Sequence, residues 1–202
     1  AGFNPNGLFR APSPTQINPN AIAGLQFAGV DFLPVQPVNN VFATQFFGLT
    51  AGGSSFSNAS VTTTSALPMT LTVRSDPLNN SASTVGFFNG LKVQRDVAFA
   101  LGDSFIAIDI FVTNTTGAVV SNLFWMEAFN PSPGQERNNN RNTGNDLDPT
   151  KPYASARYDS NDFTQGLTIA LAAPSADTRA KANVIGGTAV IRDAQTLHNI
   201  GR

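Results

Sequence analysis

The stretch "DSFIAIDIFVTNTTG", residues 103–117, restricts the fold more than any other part of the chain. Ile106, Ile108, Ile110 and Val112 fall on one side of an extended backbone. Phe105, Ala107, Asp109 and Phe111 fall on the other. Strict alternation among β-branched and aromatic residues is the pattern of a half-buried strand, because successive side chains of a strand point to opposite faces. "NTTG" then reads as a turn, and "AVVSNLFWMEAF" reads as the returning strand. Residues 104–129 are therefore expected to form one long β-hairpin.

The same period recurs elsewhere. "GLKVQRDVAFAL" sets Val93, Arg95, Val97 and Phe99 against Lys92, Gln94, Asp96 and Ala98. "SVTTTSALPMTLTVRS" sets Leu67, Met69, Leu71 and Val73 against Thr70, Thr72 and Arg74. "LQFAGVDFL", "VQPVNNVFATQFFGLT", "YASARY", "GLTIALAA" and "ANVIGGTAVIRDAQ" also read as strands. Helix signals are few: one or two turns within 174–184, and a short terminal helix within 192–201 that stops at Gly201. The expected fold is all-β, an antiparallel sandwich of ten or more strands with little helix. No internal repeat of the kind that builds a propeller or solenoid is present.

Residues 1–24 carry four prolines and four asparagines. Proline cannot donate a ladder hydrogen bond, so this segment reads as an extended arm preceding a single domain over 25–202. Such an arm needs a surface to dock on, in its own domain or in a neighbouring copy. The opening residues lack the basic and apolar regions of a secretory leader. A start at Ala1 suits a mature chain or an excised module.

Charge narrows the function. Asp, Glu, Lys and Arg make up 12 % of the 202 residues, with net charge −1, about half the usual globular share. No basic stripe suggests a nucleic-acid partner, and no apolar run approaches a membrane span. There is no cysteine, which removes disulfides, thiol catalysis and zinc-thiolate sites. A polar surface built from Asn, Ser and Thr fits a bacterial extracellular or cell-surface protein.

Catalytic groups are scarce. The one histidine, His198, sits near the end of the chain, a poor place for the base of a Ser-His-Asp triad. "GGSS" at 52–55 is not a nucleophile elbow. Of the two glutamates, Glu127 could join Asp109 as a glycosidase pair, against the simpler reading of a polar strand face. Sixteen phenylalanines against two tyrosines point to core packing, and so does the single Trp125. A carbohydrate platform would favour Trp and Tyr, leaving Tyr153, Tyr158 and Trp125 as ligand candidates.

The loop expected over 129–152 is the candidate metal site. It gathers Asn138, Asn139, Asn140, Asn142, Asn145, Asp146 and Asp148 around Gly144. Calcium takes six to eight oxygen ligands. Asn142, Asn145, Asp146 and Asp148 are the expected donors, with Asp159 and "NDFT" (161–164) as a second acidic cluster. The spacing is not that of an EF-hand, and asparagine also populates loops for purely conformational reasons. The Asp76-Pro77 and Asp148-Pro149 bonds are chemically labile, a weak pointer to self-cleavage.

"FAGVDFLPVQPVNNVFATQF", the hairpin stretch from "VQRDVAFAL" to "NPSPGQE", and "SNDFTQGLTIALAAPSADTRAKANV" together resemble a β-supersandwich module of large bacterial secreted and surface proteins. The resemblance spans about residues 27–185. It implies an extracellular, non-catalytic β module of adhesin-like, calcium-associated proteins. Where relatives tend to carry an Asp-Pro-Asp type segment, this chain has Asn130-Pro131-Ser132-Pro133 and lacks those carboxylates. Three function classes follow: a structural or adhesive subunit that self-associates into a filament or layer, a carbohydrate-binding module, and a carbohydrate-active enzyme domain.

Overall fold

The computed structural model describes residues 2–3, 9–10, 26–27, 30–31, 45–59, 68–100, 102–129, 143–148, 150–158, 168–173, 179–184 and 193–200. The protein is all-β, built from antiparallel sheets with one short helix among the described residues.

A four-stranded sheet forms from β7 (Met69–Ser75), β8 (Asn79–Phe88), β9 (Leu91–Ala100) and β10 (Ala107–Asn114), in the order β10-β9-β8-β7. Tight turns set its register. Asp76 Oδ1 accepts hydrogen bonds from the Leu78 and Asn79 amides at 2.8 and 2.7 Å, closing the first. Asn89 and Gly90 close the second with φ of 47° and 74°. Two consecutive positive φ values match the right-handed twist of the flanking strands, and Asn-Gly adopts them at the lowest cost. The alternation read from the sequence holds. Leu91, Val93, Arg95 and Val97 lie on the buried face of β9, and Ile108 faces Val97 across the ladder.

A three-stranded sheet forms from β5 (Gln45–Ala51), β6 (Ser54–Ala59) and β11 (Phe124–Phe129), in the order β11-β5-β6. Here the expected 104–129 hairpin is corrected. β10 pairs with β9, whereas β11 pairs with β5. Asn114 does make a turn, its Oδ1 accepting from the Thr116 amide at 2.9 Å. The chain then runs irregularly to Phe124 and enters the other sheet. The reason is burial. β11 has large side chains on both faces, Trp125 and Phe129 on one and Phe124 and Met126 on the other. At the edge of the four-stranded sheet one of those faces would meet water. Beside β5, whose seven residues are all buried, both are covered.

One cover is the helix α1 (Ala194–Ile200), within the segment expected to end the chain helically. Ala194 and Leu197 pack on Phe46, Phe124, Met126 and Ala128. On the opposite face, Leu49, Ala51 and Phe56 join Leu91 and Val93 of the four-stranded sheet in one buried cluster, with Met69, Phe88, Val112, Val120 and Trp125 around it. Val97, Ile106, Ile108 and Phe129 form a second apolar patch.

Other expectations are adjusted. β12 (Thr143–Leu147) lies within the segment read as a loop, and it pairs with β13 (Tyr153–Tyr158), which pairs with β14 (Thr168–Ala172). Residues 179–184 are not helical, and 182–184 are not a strand. Within the arm, β1 (Gly2–Phe3) pairs with β2 (Phe9–Arg10), so the chain turns back rather than extending throughout. Similarly, β3 (Gln26–Phe27) pairs antiparallel with β4 (Val30–Asp31), so two strands stand where one was expected. Among the described residues no helix is long and apolar enough to cross a membrane.

Candidate functional site

The most concentrated chemistry lies between the four-stranded sheet and the β11-β5-β6 sheet. Alternation places Arg95 among Leu91, Val93 and Val97 on the buried face of β9, leaving it 1 % exposed. A buried cation requires a partner, and β11 supplies Glu127. Arg95 Nε donates to Glu127 Oε1 at 2.7 Å and Nη2 to Oε2 at 3.2 Å. This fork uses both carboxylate oxygens. Trp125 Nε1 adds a third donor at 3.3 Å. The guanidinium lies over the Phe47 ring at 5.0 Å, and Phe47 stacks on Trp125 at 5.4 Å. Thr84 Oγ1 donates to the Arg95 carbonyl at 3.2 Å. Gln45 and Asn58 are buried on the same side of the three-stranded sheet as Phe47. A polar layer thus crosses the middle of the core, with an apolar cluster on either side. Its sequence signal was the lone arginine on the apolar face of β9, with the rare glutamate in "FWMEAF".

Glu127 is 14 % exposed, and its oxygens are held by Arg95 and Trp125. Asp109, its suggested catalytic companion, stands on the opposite, exposed face of the four-stranded sheet, level with Asp96. A sheet separates the two carboxylates, so they do not flank a common bond. Trp125 packs inward, as expected for core.

A second cluster fastens α1. Asp193 accepts from Thr50 Oγ1 at 3.0 Å, from Ser55 Oγ, and from the Thr196 amide at 2.7 Å. The last bond caps the first helical turn. Burial raises the Asp193 pKa, but the bonds from Ser55, Thr196 and Thr50 outweigh it and hold the carboxyl at about 2. "GGSS" is thereby explained. Gly52 and Gly53 turn the β5–β6 hairpin with positive φ, and Ser55 anchors the helix. His198 packs against Phe124, ring centres 5.0 Å apart.

Of the residues read as calcium donors, the described ones are Asn145, Asp146 and Asp148. Asn142 lies outside the described residues, as do Asp159 and 161–164. Asn145 and Asp146 are consecutive in β12 and so point to opposite faces. Asp148 closes a turn, accepting from the Thr150 amide and hydroxyl, both at 2.7 Å, and from the Lys151 amide at 3.1 Å. The Thr150 hydroxyl and amide lower its pKa. Among the described residues no three acidic or imidazole side chains converge on one point. Tyr153 and Tyr158 begin and end β13, level with Ala172 and Thr143. Phenylalanine divides. Phe46, Phe47 and Phe56 are buried, while Phe87, Phe105 and Phe111 are exposed.

No family model, curated protein or solved structure matches the chain.

Proposed function

We propose that this chain is a non-catalytic structural or adhesive module of a bacterial extracellular assembly, a β-sandwich whose surface makes contacts with copies of itself. One observation carries the reading: the four-stranded sheet leaves large apolar side chains in water. Phe87 and Phe111 stand on its outer face at 65 % and 54 % exposure, and Val73 on its edge strand at 54 %. Exposed apolar surface is what marks a contact site on a protein. The low charge supports the same view, since little repulsion opposes association of copies.

The resemblance to β-supersandwich modules agrees with this reading, as does the commitment of Glu127 to Arg95. Sedimentation velocity over a hundredfold range of protein concentration tests it. Concentration-dependent growth in size is expected. A monomer at every concentration that binds polysaccharide on a glycan array would replace it with the carbohydrate-binding alternative.

A further inference from the structure

We infer that copies of this chain add to one another edge to edge, β7 of one against β10 of the next, so that the four-stranded sheet continues without limit. The inference rests on the self-association proposed above and names its surface.

The topology permits it without distortion. In the order β10-β9-β8-β7 every neighbour is antiparallel, so the two edge strands run in opposite directions. A second copy placed beside β7 in the same orientation presents β10 antiparallel to it. Inner faces stay inner and outer faces stay outer. Among the described residues nothing pairs with the free edge of either strand. β7 also lacks the usual protections of an edge, having no proline and a single charge, Arg74.

The register then matches side chain to side chain. The ladder rows of one copy run Val73–Ala82–Val97–Ile108, Leu71–Thr84–Arg95–Ile110 and Met69–Gly86–Val93–Val112. Continued in line, they set Val73 beside the next copy's Ile108, Leu71 beside Ile110, and Met69 beside Val112. All three inner pairs are apolar, and Val73 gains the cover its own chain does not give it. On the outer face, Thr72 meets Asp109, with Arg74 on the diagonal, within reach of a long side chain. That cation would offset a like charge beside Asp109. Asp109 lies directly across from Asp96, a like-charge pair that destabilises a sheet, and Asp96 Oδ1 is itself buried without a hydrogen-bond partner. Two-fold pairing of β7 with β7, or of β10 with β10, brings no opposite charges together. The contact is therefore head-to-tail, and one that does not close generates a filament.

Charge exchange tests this at two exposed positions. R74D and D109R should each raise the concentration at which the chain assembles, by about three- to thirtyfold for the exchange of an attractive for a repulsive cross-strand contact. Each variant alone places like charges at every junction. An equimolar mixture alternates the two and restores opposite charges at every junction, so assembly should return to within about twofold of the unaltered chain. Sedimentation velocity reads the assembly, and circular dichroism melts check that both variants fold. Variants that assemble like the unaltered chain, or a mixture no better than either alone, would overturn the edge register while leaving self-association standing. An unaltered chain that stays monomeric throughout would overturn both.

Discussion

Arg95 and Glu127 belong to different sheets and meet in the middle of the core, Nε to Oε1 at 2.7 Å. Asp96 follows Arg95 in β9 but alternation turns it to the other face of the sheet, and Glu127 is the one charged residue of β11. Each is tolerated there because the other is present, and a buried pair of this kind is destabilising to break even where it adds little by itself.

Removing one partner is therefore predicted to cost more than removing both. E127A should lower the unfolding free energy by about 3–5 kcal/mol, since it removes the carboxylate paired with a buried guanidinium. R95M combined with E127L should recover most of that loss. Urea denaturation of the three chains checks the order.

Gly90 is predicted to accept no side chain. Its φ is +74°, and a Cβ there would lie 2.1 Å from Thr116 Cγ2. Thr115 is fixed over the same turn, its amide donating to the Gly90 carbonyl at 2.8 Å. G90A should cost about 1–3 kcal/mol from backbone strain alone, visible as a lower Tm. G52A, with positive φ but open space around it, should lose less.

Gly48 is the second glycine with a steric role. A Cβ would sit 2.7 Å from Met126 Cε and 2.8 Å from the Phe56 carbonyl oxygen. The methionine tip can move, but the ladder carbonyl cannot without breaking β5 from β6. G48A is expected to destabilise by about 1–3 kcal/mol, the usual cost of overpacking a filled core, in the same denaturation assay.

Acid should release the helix. The Asp193 carboxyl titrates at about 2 in the folded chain against the ordinary 3.8. A depressed carboxylate contributes stability that is fully present above its unfolded pKa and is lost as pH falls through its folded one. The stabilisation from this group should thus hold above about pH 4 and decline between about pH 4 and pH 2. Thermal melts across that range check it. D193N keeps a capping side chain but does not titrate, so its Tm should fall less steeply over the same interval.

The alternation in β7, β9 and β10 was legible because it is local. A strand's period fixes which residues share a face whatever lies beside it, and Val93, Arg95 and Val97 were grouped correctly on that ground alone. The terminal helix was legible from its short run of helix-forming residues between Asp193 and Gly201. Asn89-Gly90 is a two-residue hairpin dipeptide whose turn is encoded locally.

The sequence by itself thus determined the all-β class, which residues share a face in β7, β9 and β10, and the scarcity of catalytic groups. Tertiary structure decided the rest. β11 left β10 for β5 because only there are both its faces covered, and that choice brought Glu127 to Arg95 and took it away from Asp109. Asn145 and Asp146, dense in sequence, separated once β12 formed, since neighbours in a strand face opposite ways. Proximity along a chain is set by covalent bonds, but proximity in space is set by which surfaces can be removed from water together, and that is a property of the whole fold.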